Sequence, residues 1–241
     1  MTALGENLER LEEAIGAACR AAGRARGDVE LMAVSKTFPA EAIAEAAALG
    51  LTLFGENRVQ EFSAKVLRAA ETGTWAVRGR LKFHLIGHLQ SNKAARAAEL
   101  FASVDTLDSV SLAERLDQAA TKLGRRLAVL IEIKLSPEES KAGLEPDSAE
   151  LELLLDRLPD FSALEVRGLM TVPPYLEDLA AVRPYFARLR ELRERLAAAH
   201  PRLSFDELSM GMSHDFPVAI AEGATQVRIG TALFGPRIYP K

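Results

Sequence analysis

Lys36 closes the apolar run Val29-Glu30-Leu31-Met32-Ala33-Val34-Ser35-Lys36. A primary amine at the mouth of a buried strand can attack a carbonyl carbon, which makes Lys36 a candidate Schiff-base lysine. Two later segments carry a different chemistry. Ser209-Met210-Gly211-Met212-Ser213 and Arg228-Ile229-Gly230-Thr231 supply glycines and hydroxyls. Such residues let backbone N–H groups approach a phosphate closely. An amine reachable from the same cavity as a phosphate cradle points to a phosphorylated aldehyde as guest. Other constellations are weaker. His84 and His88 straddle a predicted strand end and have no third His or Cys close by, so no metal is expected. Gly-x-Ser-x-Gly, the elbow of a serine hydrolase, is absent from the sequence.

These residues can meet only if the fold brings distant segments together, and the periodicity predicts how. After an amphipathic helix over Glu6–Ala22, eight strands are predicted at Leu31–Ser35, Leu51–Phe54, Phe83–Ile86, Phe101–Val104, Leu127–Ile133, Val166–Met170, Glu207–Met210 and Gln226–Ile229. The segments Ala40–Leu49, Glu56–Ala70, Ser91–Ala98, Ser109–Leu123, Asp147–Leu158, Leu179–Ala199 and His214–Glu222 carry apolar residues at helical spacing. Alternating β and α elements imply a parallel sheet, and eight repeats favour closure into a (β/α)8 TIM barrel, class α/β, with an extra N-terminal helix. An open dinucleotide-binding sheet would need Gly-x-Gly-x-x-Gly after the first strand, and none is there. The longest breaks are Glu71–Arg80 and Ser136–Leu144.

In such a barrel the chemistry sits at the C-terminal strand ends. Lys36, Asn57, Asp105, Lys134, Thr171, Ser209, Gly211, Arg228, Gly230 and Thr231 all fall in or just after those ends. Helix capping explains Asn57, Asp105 and Thr171 equally well. The loops after strands 7 and 8 are where many barrels hold a phosphate. The guest is then pyridoxal 5′-phosphate or a sugar phosphate of the aldolase type.

Composition sets the outer limits. The 241 residues suit a single barrel domain over 1–241, and 48% hydrophobic residues suffice for one large core. A net charge of −4 and only 6% aromatic residues argue against nucleic acid as a partner. Cys19 is the only cysteine, so no internal disulfide is available and a buried apolar role is expected. Neither a signal segment nor a membrane-spanning run is present, and a cytoplasmic location is expected.

Several blocks in order resemble the pyridoxal phosphate homeostasis protein family, the single-domain relatives of the alanine racemase barrel. They are Ala33-Val34-Ser35-Lys36, Phe54-Gly55-Glu56-Asn57, Phe83-His84-Leu85-Ile86-Gly87-His88, Ser140-Lys141-Ala142-Gly143, Arg167-Gly168-Leu169-Met170, Leu208-Ser209-Met210-Gly211-Met212-Ser213 and Val227-Arg228-Ile229-Gly230-Thr231. The resemblance implies an alanine racemase N-terminal-domain-like barrel with Lys36 forming the internal aldimine. It implies further that Ser209, Gly211, Gly230 and Thr231 hold the phosphate, that Asn57 lies near the ring, and that Arg228 faces the pyridine nitrogen. Lys141 matches a family lysine near the mouth. An arginine there disfavours a protonated pyridine and weakens the ring as an electron sink. Racemases of this type take their second acid/base from a tyrosine of an added β-domain, whereas this chain ends soon after strand 8, and Tyr175, Tyr185 and Tyr239 lie outside the matched blocks. The expectation is therefore a non-enzymatic monomer that binds pyridoxal phosphate, limits the free aldehyde and hands cofactor to apo-enzymes. A pyridoxal-phosphate-dependent amino-acid racemase is the alternative.

Overall fold

The computed structural model describes residues 2–75, 80–136, 138 and 142–236. Across them eight parallel strands pair in chain order and close on themselves, β1 (Glu30–Val34), β2 (Leu53–Glu56), β3 (Lys82–Leu85), β4 (Ser103–Leu107), β5 (Leu127–Glu132), β6 (Leu164–Met170), β7 (Glu207–Met212) and β8 (Gln226–Ile229). The helices are α1 (Ala3–Ala21), α2 (Ala40–Ala48), α3 (Val59–Thr72), α4 (Ala94–Leu100), α5 (Val110–Lys122), α6 (Ala149–Arg157), α7 (Leu179–Ala199), α8 (Phe216–Ala221) and α9 (Thr231–Phe234).

Strand alternation sorts the side chains into two layers. Ala33, Phe54, Val129, Ile131, Leu169 and Leu208 point outward into the main core beneath the helices. The aromatic part of that core anchors α3, because Phe62 packs against Phe83 at 4.5 Å and Phe101 at 4.8 Å between ring centres. The other parity faces the barrel axis, where Met32, Leu130 and Met170 give way to Ser209, Gln226, Arg228 and Glu132. A buried polar interior is costly unless its groups are paired, so it marks where function competes with packing.

The extra N-terminal helix answers a local shortage of cover. Helix α8 has six residues and α9 only four, too few to shield the outer faces of β7 and β8. Helix α1, with 19 residues, lies against α8 and α9 and buries Leu4, Leu11, Ile15 and Cys19. Thr2 caps its start by accepting from the Gly5 N–H at 3.2 Å, and the Asn7 amide donates to the Leu233 carbonyl at 2.9 Å. Cys19 is thus a buried apolar residue, 1% exposed.

Three differences from the predicted elements bear on the barrel mouth. The fourth strand is Ser103–Leu107 rather than Phe101–Val104, so Asp105 is a barrel residue and not a cap. Glu56 ends β2 instead of opening a helix, since its side chain is needed behind the sheet and α3 starts only at Val59. The seventh strand runs to Met212 rather than Met210, so Gly211 and Met212 are strand and not loop. Its pairing with β8 slips between Ser209↔Gln226 and Met212↔Arg228, a bulge with one residue extra on β7. Gly211 sits in that bulge at φ 93°, where an added Cβ would lie 2.6 Å from Cβ of Ala219. Only glycine fits there.

Candidate functional site

Strands β7, β8, β1 and β2 are consecutive around the ring, and their C-terminal ends carry the predicted cofactor residues on one half of the barrel mouth. Lys36 lies two residues beyond β1, half-buried. Ser35 and Glu56 share the outward parity of Ala33 and Phe54, and Lys36 lies in the turn that follows β1. Behind the sheet, the Ser35 hydroxyl donates to Glu56 Oε1 at 2.7 Å, and Lys65 Nζ from α3 donates to the Ser35 carbonyl at 2.9 Å and to Glu56 Oε1 at 2.8 Å. Glu56 is fully buried. Burial pushes its carboxyl above the usual range, with Lys65 and Ser35 pulling the other way. Sequence reasoning missed Lys65. Its signal was a lysine four residues after a glutamate on an otherwise apolar helix face.

Arg228 is the central cation of the mouth, 4% exposed. Its Nη1 donates to the Ser209 carbonyl at 2.6 Å and the Ser209 hydroxyl at 2.8 Å, and its Nη2 donates to the Thr171 carbonyl at 2.7 Å. Ser209 in turn donates to Gln226 Oε1 at 2.8 Å. The serine hydroxyl therefore orients the arginine first. Among the described residues Arg228 has no carboxylate within ion-pair distance. Burial pulls the guanidinium below its usual value, and Asp105, Glu132 and Asp215 act against that. The Glu132 carboxyl, on the same inner face, is raised to about 7 by burial and by Asp108, with Arg228 opposing. Its Oε2 is buried and has no hydrogen-bond partner among the described residues. Glu132 was also missed, although a carboxylate closing an apolar strand was visible in Leu127–Ile133.

The ends of β7 and β8 are tied together where a phosphate was expected. Ala232 N–H donates to the Ser213 hydroxyl at 3.3 Å, and Asp215 Oδ1 accepts from Met212 N–H at 2.6 Å. Gly230 neither has a left-handed φ nor is crowded, since a Cβ there would meet nothing nearer than the Val34 carbonyl at 3.5 Å. Val34 borders that position at ordinary contact distance. Thr231 follows as the exposed first residue of α9. Asn57, after β2, is half-buried and its backbone abuts Gly87, where a Cβ would fall 2.4 Å from the Asn57 carbonyl.

Other candidates separate. His84 pairs inside the barrel with Asp105 at 3.1 Å, and Asp105 also accepts from Ser103 at 2.5 Å. Burial lowers the His84 pKa, but Asp105 outweighs it and the net direction is upward. His88 is exposed and faces Asp108 at 3.4 Å. No cluster of three metal-ligating side chains occurs among the described residues. Thr171 donates to the Ile133 carbonyl at 2.7 Å. His214 contacts the Leu176 carbonyl and the ring of Tyr175, which is 72% exposed. Tyr185 packs against the core. Lys141 and Tyr239 lie outside the described residues.

The donor set fits a phosphorylated pyridine aldehyde. It offers an amine just past β1, a buried guanidinium that can donate to a ring nitrogen, and glycines beside hydroxyls at the ends of β7 and β8. Comparison with known proteins agrees. The family model for the alanine racemase N-terminal domain matches residues 7–238. The chain is 44% identical to the pyridoxal phosphate homeostasis protein of Aquifex aeolicus over 97% of this chain and 98% of that one. It is 43% identical to the protein of the same name from Vibrio cholerae, over 100% and 99% of the two chains. It is also similar to the solved structure of PipY from Synechococcus elongatus with pyridoxal phosphate bound, at 41% identity and a TM-score of 0.82, covering 96% of this chain and 100% of that one.

Proposed function

Because the chain belongs to the pyridoxal phosphate homeostasis protein family, built on the alanine racemase N-terminal-domain barrel, we propose that it holds pyridoxal 5′-phosphate reversibly on Lys36 and contributes to cofactor homeostasis without turning over a substrate. The observation that carries this reading is a half-buried lysine just past the end of β1 together with a buried arginine on the adjacent β8 that has no carboxylate within ion-pair distance among the described residues. When bound, the cofactor would supply an aldehyde carbon electrophilic enough to be held by a lysine amine, and Lys36 is the residue that would hold it.

The protein's residues do the rest. Arg228 presents donors and no acceptor, so it suits an unprotonated pyridine nitrogen and leaves the ring a weak electron sink. That tuning supports storage over carbanion chemistry. Gly211, Gly230 and Thr231 are assigned to the phosphate. The Ser209 hydroxyl joins them only by giving up the bond it donates to Gln226, so its main part is to hold the arginine. Asn57 is assigned to the edge of the ring. Among the described residues no helix is long and apolar enough to cross a membrane, and a cytoplasmic monomer that passes cofactor to apo-enzymes is the setting proposed.

The test is an absorbance spectrum of the purified protein with pyridoxal phosphate before and after borohydride, followed by peptide mapping and an assay against a panel of L-amino acids. Pyridoxyl mass on Lys36, its loss in a folded Lys36→Ala variant, and no turnover are expected. Turnover that vanished with Lys36→Ala would make the protein an enzyme. Absence of any adduct would leave the sugar-phosphate alternative.

A further inference from the structure

Thr37, the residue after Lys36, has φ 69° and is the only described non-glycine residue with a positive φ. A β-branched side chain rarely adopts that region, and such strain persists only where the surroundings over-determine it. They do so here from both sides of Lys36. On one side, Lys65 Nζ donates to the Ser35 carbonyl while the Ser35 hydroxyl donates to Glu56. On the other, Thr37 N–H donates to Glu61 Oε1 at 2.7 Å. Lys65 links the two halves, lying 2.8 Å from Glu56 and 3.0 Å from Glu61.

We propose that the Glu56–Lys65–Glu61 triad is a positioning device for Lys36, clamping the backbone before and after it so that its amine is held at the barrel mouth in one reactive pose. This rests on the reading that Lys36 is the attachment point. The triad touches no cofactor; it acts on peptide groups from the outer side of the sheet. Its rigidity comes from α3, which carries both Glu61 and Lys65 and is fixed by Phe62 in the aromatic core. Glu61 is the member whose loss the fold tolerates, since its side chain is 30% exposed, whereas Glu56 and Lys65 are buried together. Glu61 sits below the usual carboxylate range because the Thr37 N–H and Lys65 outweigh its partial burial.

The experiment compares the full-length parent, Glu61→Ala and Glu61→Gln. The apoprotein is mixed with pyridoxal phosphate, quenched with borohydride at intervals, and the pyridoxyl mass on the Lys36 peptide is followed alongside the thermal midpoint. Glu61→Ala should slow capture roughly tenfold or more, since misplacing a reacting group is costly, with the midpoint almost unchanged. Glu61→Gln keeps an oxygen for the Thr37 N–H and should recover most of the rate. Equal rates for Glu61→Ala and the parent overturn the proposal, and so does a Glu61→Gln variant as slow as Glu61→Ala. A parent that captures nothing, or captures on another lysine, removes the attachment-point reading and this inference with it, an outcome distinct from equal rates.

Discussion

Replacing Glu132 with glutamine should flatten the dependence of stability on pH. In the folded protein the Glu132 carboxyl, 8% exposed, is raised from 4.5 to about 7. Between those values the folded state binds more protons at this group than the unfolded chain, so its contribution is fully present below about 4.5 and is lost as pH rises through about 7. At about 1.4 kcal/mol per pH unit, that interval corresponds to about 3 kcal/mol in total. Glutamine keeps the shape and stays neutral throughout. Urea unfolding of the apoprotein at a series of pH values gives the comparison. From about pH 5 to about pH 8 the parent should lose roughly 2–3 kcal/mol more than Glu132→Gln, with unchanged m-values. Parallel curves for the two proteins would refute the argument, because they would mean that Glu132 ionises as freely inside the barrel as in water.

Three further substitutions probe other parts of the mouth. Arg228→Met strips the buried Thr171 carbonyl of its donor and leaves the Ser209 carbonyl with only the Thr171 N–H, and it should cost roughly 2–4 kcal/mol of stability, read from the urea midpoint; a loss well under that range would mean the carbonyls find water. Gly211→Ala places a Cβ 2.6 Å from Ala219 at a left-handed φ, so a loss of about 2–4 kcal/mol is expected from clash and strain together, and a variant as stable as the parent in the same assay would show that the bulge relaxes. Thr231→Ala should weaken retention of pyridoxal phosphate by about 1–2 kcal/mol with the fold intact. Unchanged affinity in equilibrium dialysis would remove the hydroxyl from the phosphate site.

The barrel was legible because its evidence is repeated: eight apolar runs separated by amphipathic segments leave few alternatives, and the strands fall where the runs do. Boundaries were less legible for a physical reason. Phe101 is apolar enough to read as strand, yet its backbone N–H bonds to Ala97 at the end of α4, while Asp105 and Thr106, polar by type, are drawn into β4 by partners in His84, Ser103 and Gly87. Local pattern does not register such long-range bonds. The same limit applies at the site. Lys36, Arg228 and the glycines announce themselves by type at strand ends, whereas Lys65 reads as an ordinary lysine on a helix face until the sheet brings Glu56 and the Ser35 carbonyl beneath it. Its burial follows from register: Ala33 pairs with Phe54, which brings Ser35 and Glu56 to the same outer side, and α3 must then offer a cation or leave a carboxylate buried without a counter-charge. A buried pair of this kind contributes little net stability over apolar residues of similar volume. Its stronger claim is on geometry, since two peptide groups flanking one lysine are held by it and its neighbour.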